Sequence, residues 1–546
     1  MRGARPSSVK AAAMTSVEFR YRGELPPSRF NMARYCLRAA RAPREKTALL
    51  VVHDAAGHGT EIWTYGALED AVLRTAGVLR TTYNLLKGNH IAIRLRNRTP
   101  YALAFFGAIA GGLVPISISP DLTARELAFM LADSEASAIV LDDTLPHGAF
   151  DRDLKIIPEA SLVRASESGP VPEYEDTSAD DPAFLIYTSG TTAAPKGVLH
   201  AQRSAWGRRP MYRGWYGINA SDRLMHAGSF NWTYTLGTGL SDPWANGAAA
   251  IVYTGEKDPA LWPRLMREQG VTIFAAVPGV YRQILKYGDL ENNPPSTLRH
   301  GLTAGEALPA AVAADWRERT GTVLYEALGQ SELSTYISSA PDAPPKPGKA
   351  GKPQPGRCVA ILAEDSGTAP LPAGGEGLIA VHRSDPGLML GYWKRPGEET
   401  GVFRGEWFLG GDAGLMDEDG YVTHLGRRND LMNAGGFRVS PAEVEQQIAA
   451  HPAVAEIAVA EVQVREGLSI IAAFVVARGE DRTDLEGSLD AHAARVLASY
   501  KRPKDYVFVE ALPKTPNGKM KRGDLKRVFA AKLNGTSDAA GSANSG

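Results

Sequence analysis

Between residues 90 and 142 the chain alternates short apolar runs with amphipathic stretches. Residues 91–95, 114–118 and 138–141 are apolar runs of strand length, rich in Ile, Val and Leu. Residues 101–110 are apolar on every side and predict a buried helix, ended by Gly111 and Gly112. Residues 123–133 place their apolar side chains at helical spacing with charges between, predicting an amphipathic helix. Strand, helix and strand in this order predict an α/β architecture with a largely parallel sheet. The same texture returns at 248–253, 261–268 and 271–276.

The pattern changes near residues 341–355, where Pro, Gly and Lys crowd together and predict a long surface connection. Residues 356–425 read as short strands between Gly and Asp turns, a β-rich subdomain. Residues 440–526 mix helices with β-branched strands at 456–462 and 470–476, a small α+β domain. The expected fold is therefore α/β: a large N-terminal domain of α/β subdomains plus the β-rich subdomain, followed by the small domain. A length of 546 residues agrees, because it exceeds what one ordinary core organises.

Composition narrows the function by exclusion. Sixty basic against 61 acidic residues leave a net charge of -1, so no overall field draws the chain to nucleic acid or an anionic membrane. The apolar run after residue 101 is too short and too interrupted for a membrane span. The basic N-terminus lacks the apolar core of a secretion signal. Two cysteines, Cys36 and Cys358, support neither a disulfide framework nor a Cys-rich metal site, and suggest a cytoplasmic protein.

The candidate chemistry begins at residues 188–197, TSGTTAAPKG, which follow the apolar run 183–187. Four hydroxyls and two glycines let backbone amides and hydroxyls converge on an anion, and Lys196 adds a mobile positive charge. The spacing is not that of the G-x-x-x-x-G-K-[ST] loop, which removes the usual support for a kinase or GTPase. No early G-x-G-x-x-G points to a dinucleotide-dependent oxidoreductase.

This string resembles the signature of the adenylate-forming superfamily, which includes acyl-CoA synthetases, luciferases and peptide-synthetase adenylation domains. The resemblance runs from residue 31 to 522 with the further motifs in order. It implies that Thr188, Ser189, Gly190, Thr191, Thr192 and Lys196 cradle the phosphates of ATP, and that Gly305, Glu306 and Ala307 line the adenine. In LGQSE, residues 328–332, Gln330 and Ser331 would border the nucleotide, with the Ser331 hydroxyl on the α-phosphate. Glu332 would hold Mg2+. Leu328 stands where the family has an aromatic residue, so apolar packing replaces stacking on the adenine. Asp412 corresponds to the ribose-binding acid and Arg427 to the arginine beside it.

The hinge of the family falls at Asn429, a departure from its usual Asp or Lys, with Asp430 next. The implied domains are 1–428, the ATP and acyl domain, and 429–535, a mobile C-terminal domain, with a flexible tail at 536–546. Residues 433–445 resemble the loop presented to the thiol, in which Gly436 lets a pantetheine arm approach and Arg438 reaches phosphate. PKTPNGK, residues 513–519, resembles the C-terminal catalytic motif and places Lys519 in the active site.

The implied reaction is ATP-dependent activation of a carboxylic acid to acyl-AMP with release of pyrophosphate, then transfer to coenzyme A. Residues 226–244 correspond to the acyl pocket. There Asn231, Trp232, Tyr234 and Leu236, with Val277, predict a largely apolar site for small to medium aliphatic or aromatic monocarboxylates. The basic stretch 500–504, YKRPK, is a candidate for contact with the coenzyme A nucleotide. Two alternatives remain open from sequence: a free-standing enzyme that loads a carrier-protein thiol, and a non-catalytic nucleotide-binding relative. Oligomeric state is not legible.

Overall fold

The computed structural model describes residues 19–39, 42–54, 57–142, 144–145, 147, 150, 153–188, 195–434, 437–465, 468–479, 483–514 and 520–541. Its N-terminal part is built on two large, mainly parallel sheets. One has seven strands, in the order Gly391–Tyr392, Lys196–Ala201, Pro182–Thr188, Val114–Ser117, His90–Arg94, Ala138–Leu141 and Lys155–Pro158. The three strands expected near residues 91, 114 and 138 all lie in it and pair in parallel. The second sheet has nine strands; Val323–Gln330, His300–Ala304, Ile273–Ala275, Arg223–His226, Ala249–Tyr253 and Thr47–Val52 form its parallel centre.

Helix Thr99–Ala110 lies between the two sheets with all 12 residues buried. Phe105 and Phe106 join one cluster with Ile91 and Ile93 of the first sheet and Leu49 and Val252 of the second. A helix with no solvent face needs no polar stripe, which explains its uniformly apolar sequence. Each buried phenylalanine contributes on the order of 1.5–3 kcal/mol. Helix Ala124–Asp133 is the contrasting case: a capping box between Thr123 and Glu126 starts it, and only Leu127, Met130 and Leu131 are buried.

The expected β-rich subdomain is a five-stranded antiparallel sheet of Val359–Leu362, Glu376–His382, Phe403–Arg404, Trp407–Met416 and Val422–Arg427. The C-terminal α+β unit pairs Val454–Arg465 antiparallel with Leu468–Ala477, against which Asp505–Phe508 runs parallel. Helices Pro441–Ala449, Leu485–Val496 and Arg522–Gly541 belong to the same unit. Residues 536–541, expected as part of a flexible tail, are helical here. No proline interrupts the stretch, so helix propagation is not stopped there.

This topology positions the site. Parallel neighbours end at the same edge, where ligands of α/β sheets gather. Strands Arg223–His226, Ile273–Ala275, His300–Ala304 and Val323–Gln330 are such neighbours. Their carboxyl ends lead into Asn231 and Trp232, Val277, Gly305 to Ala307, and Ser331. Motifs far apart in sequence therefore meet along one rim.

A buried ion pair within residues 356–425 holds Arg357 in place for a hydrogen bond to the first part of the chain. Arg357 Nη1 lies 2.7 Å from Asp385 Oδ2, with side chains 0% and 1% exposed. Arg357 Nη2 also donates to the Gly207 carbonyl at 2.8 Å. Removing one partner strands a charge out of water, so Asp385→Ala is expected to cost about 3–5 kcal/mol. Chemical denaturation followed by tryptophan fluorescence measures the loss.

Candidate active site

A cleft of about 3530 Å³ is lined by both parallel sheets, the β-rich subdomain and the C-terminal unit. The strands on either side of the phosphate-loop sequence, Pro182–Thr188 and Lys196–Ala201, pair antiparallel, with Thr188 opposite Lys196. The expected contacts of Ser189, Gly190, Thr191 and Thr192 lie outside the described residues. Thr188 and Lys196 both line the cleft. The Lys196 ammonium forms an ion pair with Glu398 and sits 5.3 Å from the centre of the Tyr392 ring. Tyr392 in turn donates its hydroxyl to Glu332 Oε1 at 2.8 Å. One short segment, paired edge-on to the Lys196 strand through Gly391 and Tyr392, thus holds the phosphate-loop lysine and the expected metal-binding carboxylate together.

Leu328, Gln330, Ser331 and Glu332 follow one another along the same wall. His200 fixes the Ser331 backbone: its Nε2–H donates to the Ser331 carbonyl at 2.8 Å, and its ring stacks on Phe184. Burial pushes the His200 pKa down to about 4, so it stays a neutral donor at physiological pH. Gln330 turns its amide nitrogen onto Asp412 Oδ2.

Asp412 and Arg427 are direct cross-strand partners. Arg427 Nε lies 3.0 Å from Asp412 Oδ1, and His424 Nε2 donates to the same oxygen at 3.1 Å. Burial works to raise the Asp412 pKa. The His424 hydrogen bond and the Arg427 charge outweigh it, with help from Gln330, and hold the carboxyl below the ordinary range. Asp412 is therefore an anion with lone pairs to share among further donors.

Gly305 has φ +97, and a Cβ there would meet Trp232 Cη2 at 2.9 Å and Val277 Cγ1 at 3.9 Å. Glycine is required for both reasons, and the contact brings Trp232 against the segment Gly305 to Ala307. Asn231, Trp232, Tyr234, Gly305, Glu306 and Ala307 line the cleft, whereas Val277, expected in the acyl pocket, packs behind Gly305 and is not on the lining. Trp232 meets Tyr234 edge-on at 5.5 Å, and Trp215 stacks on Tyr234 at 5.8 Å. Leu236 departs from expectation. It is 4% exposed, packs in the core cluster between the sheets, and lines a separate 40 Å³ void instead of the main cleft. Two residues after Tyr234 on the short helix Thr233–Leu236, it faces a different direction.

Lys519 lies outside the described residues, but its flanking residues Lys514 and Met520 do not: both line the cleft and bridge to one another. Gly436 also falls outside them; the strands on either side of it in sequence, Met432–Ala434 and Phe437–Val439, pair antiparallel. The side chains of Arg438 and Asn429 are likewise outside. The backbone of Asn429 lies in a single 3-10 turn, Arg428–Asp430. In YKRPK, Lys501 pairs with Glu443 at 2.6 Å, and Arg502 caps backbone carbonyls of Leu497 and Ala494.

Sequence reasoning passed over Tyr392, Glu398, His200, His424 and Glu326. Only His424 carried a local signal, since its strand pairs with the one that bears Asp412. Glu326 belongs to the wall that leads into Ser331, and its Oε1 accepts the Leu308 N–H at 3.1 Å. Burial pushes its pKa up to about 7, against the pull of that hydrogen bond and of His424. The folded state then binds more protons than the unfolded one, so this residue's contribution to stability is full below the ordinary carboxyl pKa. It is lost as pH rises through about 7. Glu326→Gln keeps the acceptor and removes the titration. Its Tm is expected to gain on the native protein between pH ~5 and pH ~8, by thermal melts across that window.

Comparison with known proteins agrees with this geometry. The AMP-binding enzyme family model matches residues 37–393, and the AMP-binding enzyme C-terminal domain matches residues 443–519. A benzoate–CoA ligase of Thauera aromatica is 34% identical over 486 residues, covering 85% of this chain and 90% of that protein. The mouse mitochondrial acyl-coenzyme A synthetase ACSM3 is 29% identical over 496 residues, 86% of this chain and 85% of that one. Among solved structures, the anthranilate CoA ligase AuaEII in complex with anthranoyl-AMP superposes with a TM-score of 0.82 at 27% identity, over 93% of this chain and 99% of that one. A benzoate CoA ligase from Burkholderia xenovorans LB400 gives a TM-score of 0.80 at 27% identity, over 91% of this chain and 100% of that one. No helix among the described residues is long and apolar enough to cross a membrane. With both of its parts matched and the motifs gathered around one cleft, the chain belongs to the AMP-binding enzyme family and is an AMP-forming acid–CoA ligase.

Proposed function

We propose that the cleft activates a small to medium aromatic or aliphatic monocarboxylate with ATP and passes the acyl group to coenzyme A, the acid resting against Trp232 and Tyr234. The observation that carries this reading is an aromatic pocket whose neighbouring cation is already neutralised. Arg208 donates to Ser334 Oγ on the cleft wall at 2.5 Å, but Asp242 holds the same guanidinium at 2.6 Å, and both are buried. A second carboxylate on the substrate would find no free charge there. Relatives named for benzoate and anthranilate support an aromatic acid, and those named acyl-coenzyme A synthetases support a broader acyl range.

A carboxylate is a poor electrophile because negative charge shields its carbon and hydroxide leaves badly. In the first step its oxygen bonds to the α-phosphorus of ATP, and the bond from that phosphorus to pyrophosphate breaks. Two anions must approach, so the site has to compensate charge that grows in the transition state. Thr188 to Lys196 would take the polyphosphate, the Ser331 hydroxyl the α-phosphate, and Lys519 the gap between acid and α-phosphate. Asp412 would accept the ribose hydroxyls with Arg427 beside it, while Leu328 and Gly305 to Ala307 would flank the adenine.

Among the described residues no group of three His, Cys, Asp or Glu forms a resident metal site. The single carboxylate of Glu332 fits Mg2+ that arrives on phosphate, since this ion keeps several waters and takes only one or two carboxylates. Bound there, it would neutralise charge on the polyphosphate. In the second step the thiol attacks the acyl carbon and AMP leaves. We assign the change of site to rotation of the C-terminal domain about Asn429 in the turn Arg428–Asp430, which would replace Lys519 by the segment carrying Gly436 and Arg438. Cys36 and Cys358 are both free thiols, which supports a cytoplasmic setting.

AMP release tests the proposal, measured with ATP, Mg2+ and benzoate, 2-aminobenzoate, hexanoate or malonate, each with and without coenzyme A. Sustained release is expected only with acid and coenzyme A together, with malonate the poorest acid. Trp232→Ala is expected to lower kcat/KM for benzoate about tenfold or more. Malonate as the best substrate, or turnover independent of coenzyme A, would contradict the assignment.

A further inference from the structure

A charge cluster joins the two domains through Arg282, Glu456 and Lys514, three residues that the reaction described above does not use. Arg282 lies on helix Pro278–Tyr287 of the N-terminal domain, just after Val277. Its guanidinium Nη1 forms an ion pair with Glu456 Oε1, on the C-terminal strand Val454–Arg465. The other oxygen of the same carboxylate, Oε2, accepts from Lys514 Nζ at 2.7 Å. The three side chains are partly buried, with Arg282 35%, Glu456 27% and Lys514 29% exposed. Glu306, in the segment beside Trp232, lies within the electrostatic reach of all three. Two cations and two anions therefore meet on the cleft wall, one of each sign from each domain.

Lys514 is not an arbitrary partner. It bridges to Met520, and the Lys521 N–H donates to the Pro513 carbonyl at 2.9 Å, so the residues that flank Lys519 in sequence on both sides are held together. We propose that Glu456 is a clasp: one carboxylate oxygen grips Lys514 and the other grips Arg282, which holds the C-terminal domain in the orientation for adenylate formation. This rests on the reading of Lys519 and of two domain orientations given above. A contact across a domain boundary cannot survive rotation of one domain, so the clasp lowers the free energy of one orientation only. A group that interacts with one state alone shifts the balance between the two. Arg282, Glu456 and Lys514 are thus positioning residues, and breaking the clasp should divide the two half-reactions.

The test measures each half-reaction alone, with benzoate or hexanoate, whichever the native enzyme turns over better. Adenylate formation is followed by ATP–pyrophosphate exchange, and the second step by thioester formation from the supplied benzoyl-AMP or hexanoyl-AMP and coenzyme A. Arg282→Ala and Glu456→Gln are each expected to slow exchange about three- to fivefold, the effect of one partly exposed ion pair. Thioester formation should stay within about twofold of native or rise. The double variant should lose no more than either single one, as expected of coupled partners. Arg282→Lys should restore most of the exchange. Loss of both half-reactions together, unchanged exchange, additive losses in the double variant, or no rescue by lysine would overturn the clasp. Lys519→Ala run alongside separates the two failures. If it does not suppress exchange selectively, the reading of Lys519 is wrong; if it does and Arg282→Ala does not, only the clasp is wrong.

Discussion

Around the cleft, cations are held in pairs with carboxylates: Lys196 with Glu398, Arg427 with Asp412, and Arg282 and Lys514 with Glu456. An ammonium or guanidinium out of water without a partner is costly, and a pair with good geometry offsets much of that cost. A ligand with several negative charges enters such a site by exchange, displacing or joining a carboxylate and not filling a vacant positive hole. Charge-assisted contacts to phosphate are strong enough to compete for Lys196. The remaining geometry of the site is arranged around this balance.

Sheet topology supplies the convergence. Parallel strands place Val277, Gly305 and Ser331 on one rim because the strands before them end side by side. Thr188 and Lys196 come from the other sheet, where the strands that bear them pair antiparallel. Between the sheets, the fully buried helix Thr99–Ala110 fixes their separation, so the two walls of the cleft are held by one shared core. Gly305 shows how closely the wall is fitted: its positive φ and the nearness of Trp232 leave no space for a side chain.

Much of this was legible in the sequence, for identifiable reasons. Apolar runs of strand length found the strands near 91, 114 and 138, and a uniformly apolar run found the helix Thr99–Ala110, because these elements are buried on every side; helical spacing found Ala124–Asp133, which buries one face. The motif strings were legible through their resemblance to those of the adenylate-forming superfamily, and it is this resemblance that implies their roles toward phosphate, ribose and adenine. Partnerships across distance were not. Glu398 lies 202 residues from Lys196, and Tyr392 lies 60 from Glu332, and neither local periodicity nor composition records such a meeting. Leu236 misled because an apolar residue in the acyl segment serves a pocket and a core equally well, and only its direction on a four-residue helix decides.

The central claim is that a carboxylate oxygen bonds directly to the α-phosphorus of ATP in this cleft. Turnover of benzoate or hexanoate labelled isotopically at both carboxylate oxygens, with ATP and coenzyme A, tests it most directly by mass spectrometry of the products. The expected result is one labelled oxygen in the phosphate of AMP and none in pyrophosphate. Label in orthophosphate accompanied by ADP, or AMP without label, would contradict it.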